Sequence, residues 1–460
     1  MASDKNSILS VLPSTQVDGP QAGMPFLGVE RYAEFSDLIL KQTEAFLRDT
    51  ASRNDALLDG AAGRAVESLV DRETRTRHGI FFSGHALAGK VASCLRDQID
   101  AGYAVYDPTC GAGDLLIQAA KLMPIGASVH DTLQDWGTRL YGTDLHEVFV
   151  ETAKRRLVLL ALYRHESGLE SDSLFLDWGE YFPGIRTGDF LSAARSSRRP
   201  CCYLMNPPFV SEVAPSWVTW SSGRIQMAGA FLELAIKNAR PGEQISAILP
   251  DVLRSGTRYG RWRAAIAAQA EIHQVELHGR FDPATDVDVF VLHLTKCEGA
   301  KRERAEWPAT RCAVTSEGVS LSDLATVTVG AVVPHRHKNR GPWRSYLDVN
   351  NAPAFGETDV RLKRRFPGTV VMPPFVVVRR TSNPSDRDRL ITTVISGKEP
   401  VAVENHLIVI KPHVISLAEC RRIARALVDP VTRRWIDVTI RCRHLTTTAL
   451  KKMPIPTGKV

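Results

Sequence analysis

VYDPTCGAGDLLIQAA, residues 105–120, joins a short apolar run to a helical one through a turn that carries an aspartate and two glycines. Asp107 closes the apolar run, Gly111 and Gly113 let the backbone approach a ligand closely, and the helix that follows turns its partial positive end toward the same loop. The loop has no lysine of a triphosphate-binding turn, and Leu116 stands where a dinucleotide fingerprint requires its third glycine. This argues against a nucleoside triphosphate or NAD as the ligand.

Outward from this turn, between about residues 79 and 296, runs of strand length alternate with helical stretches. AVYDP precedes DLLIQAAKLM, LYGTD precedes EVFVETAKRRLVLLALYR, CCYLMNPPF precedes AGAFLELAIKNAR, and ISAILP precedes RYGRWRAAIAAQA. EIHQVELHGRF and VDVFVLHLTK, joined by DPATD, read as the strands that close the sheet. The alternation predicts an α/β domain with a mostly parallel sheet, and such sheets bind ligands beyond the carboxyl ends of their strands. Asp107, Asp144 of YGTDLH, Asp189 and Phe190 of TGDFL, and Asn206 all fall at those ends. Asp144 suits ribose hydroxyls, and Asp189 with Phe190 suits an adenine ring.

CCYLMNPPFV, residues 201–210, ends a buried strand with two residues that donate no backbone N–H. Proline also biases the preceding residue toward extended backbone, so Asn206 projects its side chain from a strand end beside Pro207, Pro208 and Phe209. The segment presents acceptors. DPTCGAGDLL followed by NPPF resembles the cofactor loop and catalytic motif of the amino-methyltransferases that modify DNA adenine at N6. The order of motifs is similar to that of their gamma group, in which the cofactor half precedes the catalytic half and target recognition comes last. GIFFSGHALAGKVA, with Phe82 and Ser83, resembles the family's lead-in segment, and RHLTTTALKKMPIP resembles the tail of recognition domains in restriction-modification enzymes.

The resemblance implies a Rossmann-like S-adenosylmethionine-dependent methyltransferase domain. Its cofactor would be held by Phe82, Ser83, Asp107, Cys110, Gly111, Gly113, Asp144, Asp189, Phe190 and Asn206. It also implies catalysis by Asn206, Pro207, Pro208 and Phe209. The exocyclic amine of adenine is a poor nucleophile because its lone pair is delocalised into the ring. Acceptors on its two hydrogens, the Asn206 side-chain oxygen and the Pro207 carbonyl, would stabilise the charge that develops as a methyl arrives. Phe209 would stack on a base turned out of the duplex. The chain departs from the family's pattern at Ser83-Gly84, where Thr-Pro is usual, and at Cys201, where an aspartate is usual. Pro200-Cys201 looks like a cytosine C5 methyltransferase nucleophile but lacks the surrounding pattern, and MPPF at 372–375 repeats the prolines without the asparagine.

The 460 residues are 44% hydrophobic and 24% charged, a globular composition. The eight cysteines form neither a Cys-x-x-Cys pair nor a zinc spacing, so reduced thiols and no metal are expected. No signal-like segment opens the chain and no apolar run reaches membrane length, which predicts a cytoplasmic, nucleoid-associated bacterial protein without a membrane partner. The net charge of +7 is unevenly spread: residues 331–460 hold 24 Lys and Arg against 10 Asp and Glu, and the remainder is mildly acidic. A basic module on an acidic body fits a polyanion partner, here double-stranded DNA. The cations expected to meet it are Arg336, Lys338, Arg340, Arg344, Arg361, Lys363, Arg364, Arg365, Arg379 and Arg380, with Trp343 and Phe366 available for stacking or wedge insertion. HRHK at 335–338 suits phosphate better than metal. The chain divides into a helical segment at 1–75, the methyltransferase domain at 76–300 and an α+β target-recognition domain at 315–460. Restriction or defence subunits are possible partners. Methylation of RNA or of a protein glutamine, and a non-catalytic DNA-recognition subunit, are the competing functions.

Overall fold

The structure, a computed structural model, describes residues 29–166, 178–192, 199–281, 287–299, 307, 318–382, 386, 388–440 and 444–456. It begins with α1 (Ala33–Arg48), α2 (Ala61–Leu69) and α3 (Arg72–His78). Phe35, Ile39 and Phe46 recur at helical spacing along α1 and are buried. Asp71 caps α3 by accepting from the Thr74 N–H, and Gly79 ends it in left-handed backbone at φ +67°. A Cβ on Gly79 would stand 2.7 Å from the Pro208 Cβ, so the turn is closed against the NPPF segment. α4 (Gly84–Ser93) and α5 (Arg96–Asp100) then lead into the sheet.

The main sheet is built from β1 (Ala104–Asp107), β2 (Leu140–Asp144), β3 (Ile185–Thr187) and β4 (Cys201–Met205). A separate hairpin of β5 (Ser211–Val213) and β6 (Arg224–Gln226) follows, and β7 (Gln244–Pro250), β8 (Ala270–Arg280) and β9 (Asp288–Lys296) complete the sheet. The spatial order is β3-β2-β1-β4-β7-β9-β8, parallel through β7, with β9 antiparallel to both β7 and β8. Between the strands run α6 (Asp114–Leu122), α7 (Val129–Arg139), α8 (Glu147–His165), α9 (Met227–Asn238), α10 (Asp251–Ser255) and α11 (Gly260–Ala267). Both faces are covered, and β4 shows it by alternation. Tyr203 and Met205 join a core with residues of α9 and α11, whereas Cys202 and Leu204 join the core shared with α1, α4, α6 and α8. The α/β expectation is met, and the reversal at β1 and β4 makes the crevice where such sheets bind ligands. The DPATD turn lies outside the described residues.

Among the elements that went unpredicted are a helix and a hairpin. VHDTLQDWGTR forms α7, capped by the Ser128 hydroxyl accepting from the Asp131 N–H, and its polar face hides a buried stripe of Val129, Leu133 and Trp136. The β5–β6 hairpin grows directly from the NPPF segment and is tied down where the Met227 N–H donates to the Val210 carbonyl at 2.9 Å.

In the C-terminal part, β10 (Gly318–Ser320), α12 (Leu321–Leu324), β11 (Ala325–Val329), β12 (Trp343–Leu347), β13 (Gly356–Asp359), β14 (Lys363–Arg365), β15 (Phe375–Arg379), β16 (Thr392–Ser396), β17 (Val401–Val403) and β18 (Leu407–Pro412) precede three helices, α13 (Leu417–Leu427), α14 (Pro430–Thr439) and α15 (Thr447–Lys451), and a last strand, β19 (Pro454–Pro456). A five-stranded sheet in the order β11-β18-β15-β16-β13 lies between those helices and a three-stranded sheet, β14-β12-β17. Val376 and Val378 face the helices; Phe375 and Val377 face the smaller sheet. SLAECRRIARALVDPVTRRWID, read as one helical stretch, is two helices, because Asp429 caps α14 and Pro430 occupies its first turn. Trp307 donates to the Arg263 carbonyl at 3.0 Å and packs on Trp262, anchoring part of the segment between the two regions. Among the described residues no helix is long and apolar enough to cross a membrane.

Candidate active site

The glycine loop is shaped by β2 and α8 as well as by its own residues. The Cys110 N–H donates to the Thr143 carbonyl at 2.9 Å, and the Gly111 N–H donates to Asp144 Oδ2 at 3.0 Å. Gly111 has φ +50°, and a Cβ there would stand 2.7 Å from the Phe82 ring, so the lead-in segment closes over a turn with no room for a side chain. Gly113 is the N-cap of α6, donating to the Cys110 carbonyl at 2.8 Å. From below, the fully buried Arg156 of α8 reaches Asp114 Oδ1 at 2.9 Å, the Ala112 carbonyl at 2.6 Å and the Leu58 carbonyl at 3.1 Å. Sequence reasoning missed Arg156, which reads as one more cation on a basic helix.

Asp107 and Asp144 stand side by side at the ends of β1 and β2. Asp107 is 1% exposed, and burial, helped by the negative charges of Asp144 and Asp114, pushes its carboxyl up to about 8, although the Thr109 N–H bonds to it. Burial pushes Asp144 up to about 6 against the opposing effect of the backbone N–H groups of His146, Gly111 and Leu145. Among the described residues neither carboxyl forms an ion pair with a lysine or arginine. A cationic group fits such a place. Cys110 is buried and its thiol is held well above the usual range, so it packs rather than reacts.

Asn206 gives the clearest signal. Its Nδ2 donates to the Phe81 carbonyl at 2.9 Å, and since a carbonyl can only accept, the amide orientation is fixed and Oδ1 faces the other way. That buried Oδ1 has no hydrogen-bond partner among the described residues. The Asn206 carbonyl accepts from the Thr109 hydroxyl at 3.3 Å, joining the NPPF segment to the glycine loop. Pro207 is buried and Pro208 half-buried against Gly79. Phe209 is half-buried between Phe81, near-parallel at 6.5 Å, and Phe281, edge-on at 5.2 Å. Phe81, Phe281 and Thr109 are site residues the sequence reading passed over, because each acts through a contact made far along the chain.

The remaining cofactor candidates are placed as follows. Phe82 is half-buried against Tyr32 and Phe149, and Ser83 is buried at the start of α4 without capping it. Asp189 lies two residues past β3, its oxygens accepting from the Leu191 N–H and the Ser192 hydroxyl, each at 2.9 Å. Phe190 differs from expectation: it is 2% exposed, packed between Tyr106 and Phe231 in the second core, so it underlies the crevice rather than covering a ligand. Cys201 is buried at the far end of β4 from Asn206, its N–H donating to Glu243 Oε1 at 2.9 Å.

The basic residues of the C-terminal part divide. Arg336, Lys338, Arg340, Arg361 and Arg365 are exposed. Lys363 pairs with Glu399, and Arg344 is half-buried with its Nε enclosed. Arg364 donates to the His337 carbonyl at 2.7 Å, Arg379 to the Ala352 carbonyl at 3.5 Å and Arg380 to the Asn405 carbonyl at 3.4 Å. These last three serve the fold first. Phe366, expected to stack on a ligand, is 3% exposed and packs on His337. His337 Nδ1 accepts from the Val333 N–H, and among the described residues no group of three His, Cys, Asp or Glu side chains is placed to hold a metal ion.

The seven-stranded order, the antiparallel closing strand and the glycine loop at the reversal of the sheet define the class: this is the Rossmann-like fold of the S-adenosylmethionine-dependent methyltransferases, extended by further helices and sheets. Solved structures similar to this chain include the methyltransferase subunit of the type I restriction-modification system from Streptococcus thermophilus, at 17% identity over 54% of this chain and 52% of that one, with a TM-score of 0.36. The type IIL restriction-modification enzyme MmeI in complex with DNA is similar at 10% identity over 86% and 70%, with a TM-score of 0.47, and the type IIG restriction endonuclease BpuSI at 12% over 94% and 70%, with a TM-score of 0.42. The chain spans about half the length of the type I modification subunits it matches. Neither a protein-family model nor a curated protein matches the sequence.

Proposed function

We propose that this chain is a DNA methyltransferase of the restriction-modification type, transferring a methyl group from S-adenosylmethionine to N6 of adenine in duplex DNA with the target base turned out of the helix. The observation that carries the reading is the buried, unpartnered Asn206 Oδ1, an acceptor held at the carboxyl edge of the sheet by the bond from Nδ2 to the Phe81 carbonyl. A group that donates, and does not accept, satisfies it, and an exocyclic amine is such a group.

The crevice beside it fits the cofactor. Asp107 and Asp144 are buried carboxyls whose ionised forms a bound sulfonium or ammonium would favour, the Gly111 turn gives close backbone approach, and Phe82 forms a wall. Bound there, S-adenosylmethionine supplies a methyl group on a sulfonium, open to direct displacement. Asn206 Oδ1 and the Pro207 carbonyl accept from the two amine hydrogens and favour a tetrahedral nitrogen. They stabilise the positive charge that grows on it, and their fixed positions avoid reorganisation during transfer. Phe209, set between Phe81 and Phe281, offers an aromatic surface to a base that has left the stack.

The test is incubation of purified protein with methyl-labelled S-adenosylmethionine and unmethylated host DNA, beside host RNA and whole-cell protein, followed by digestion to nucleosides and amino acids. Label in N6-methyladenine from DNA is the expected result. Label in RNA or in glutamine would reassign the substrate, and no label despite cofactor binding would leave a recognition role.

A further inference from the structure

The outer edge of the three-stranded sheet joins a chemistry that charge alone does not supply. Trp343, at the start of β12, is 61% exposed, and its register partner on β14 is Arg365, whose guanidinium lies over the indole at 5.4 Å. An exposed tryptophan held flat by a cation leaves a planar surface open to a second ring. The loop beside it is fixed to the strand: Asn339 Oδ1 accepts from the Arg365 N–H at 2.8 Å, and the His337 carbonyl accepts from Arg364 at 2.7 Å. Arg336, Lys338 and Arg340 project from this loop and Arg361 from the approach to β14; among the described residues their side chains have no partner. Neither 333–345 nor 360–366 contains an aspartate or glutamate.

Free cations around an indole-guanidinium pair match a polyanion that also carries flat aromatic rings. We propose that Trp343 and Arg365 form a wedge that inserts at a base step of duplex DNA, while Arg336, Lys338, Arg340 and Arg361 hold the flanking phosphates. The proposal rests on duplex DNA being the substrate, and it assigns Trp343 a role apart from the NPPF pocket. Inserted apolar side chains partly unstack a step and kink the duplex, so a helix already weakened at one pair is the easier one to enter.

The experiment measures binding of the full chain to two fluorescent 30-base-pair duplexes of mixed sequence, one fully paired and one with a single central mismatch, across a salt series. Each phosphate contact contributes about −0.9 to the slope of log K against log salt, so the fourfold variant R336A/K338A/R340A/R361A is expected to flatten it by about 3 to 4. Replacing Arg425, Arg434, Lys451 and Lys452, exposed cations elsewhere in the same region, should change it much less. Trp343→Ala should weaken binding by about 5- to 150-fold, the range for loss of one base stack, and abolish the preference for the mismatched duplex, while Trp343→Phe retains both. In duplex substituted with 5-iodouracil, irradiation should attach the peptide containing Trp343. An unchanged slope in the fourfold variant, or a mismatch preference that survives Trp343→Ala, would overturn the proposal. Methyl transfer to DNA alongside those failures would leave the catalytic reading standing, and the expected binding results without transfer would do the reverse.

Discussion

Asn206→Ala is the sharpest test of the site. The substitution removes one preorganised acceptor, Oδ1, and one anchor, the 2.9 Å bond from Nδ2 to the Phe81 carbonyl. Loss of a single group aimed at transition-state charge costs about 2.7–4 kcal/mol, or roughly a 10²- to 10³-fold fall in the rate of transfer. Loss of the anchor leaves the Phe81 carbonyl without that donor and costs about 1–3 kcal/mol of stability, so the thermal midpoint should fall while the chain still folds. Cofactor affinity should change by no more than about tenfold, the worth of one hydrogen bond. Single-turnover transfer of labelled methyl to DNA, with calorimetric titration of S-adenosylmethionine on the same preparation, separates the two effects. A variant that retains more than a tenth of the wild-type rate would refute the assignment, as would a cofactor affinity that falls in step with transfer. Asn206→Asp keeps an oxygen toward the substrate but sets a second one against the Phe81 carbonyl, so it should lose stability at least as severely.

Asp107 makes stability depend on pH. Its folded-state carboxyl lies near 8, far above its value in an unfolded chain, so its contribution is present in acid and lost as pH rises from about 4 toward 8. Asp107→Asn should therefore raise the melting temperature of the ligand-free protein at pH 8, by a free energy on the order of a few kcal/mol, with the gain shrinking at pH 5. It should also weaken cofactor binding; a variant no more stable than wild type at pH 8 would refute the burial argument. Gly111→Ala forces a side chain into left-handed backbone at a cost of about 1–2 kcal/mol and presses on Phe82, so S-adenosylmethionine affinity should fall at least 5-fold by titration. Arg156→Ala strands Asp114 in the core and should cost about 3–5 kcal/mol in urea unfolding, whereas an exposed control such as Arg31→Ala should cost under about 1.

The parts of this molecule that were legible in its sequence are those specified by adjacent residues. Strand, glycine turn and helix follow one another within residues 104–122, and the NPPF segment carries its own backbone restriction, so both could be placed before any contact was known. Asp144 and Asp189 followed from the alternation that puts strand ends on one edge. What escaped was set by distance along the chain. Phe81 matters because its carbonyl meets Asn206, 125 residues on, and Arg156 because Asp114 and Leu58 converge on it. Among the basic residues, sequence could count charges but could not separate Arg336 in solvent from Arg364, which lies over Tyr346. The break at Asp429-Pro430 was readable and simply outweighed by the helical pattern on either side.

The third bond of Arg156 has a consequence for how the molecule came to be assembled. Its acceptor, the Leu58 carbonyl, belongs to the opening helical segment rather than to the sheet, and Tyr32 of the same segment packs edge-on against Phe149 and Phe82. The floor and one wall of the ligand crevice are thus shared between segments that a topology diagram would draw apart. Exchange of the opening helices between related chains, a cheap evolutionary step when a segment is only appended, would here disturb the ligand crevice at once. A change in those helices therefore reaches the glycine turn directly, whereas the β12–β14 edge, far along the chain and held by its own sheet, shares no residue with that crevice.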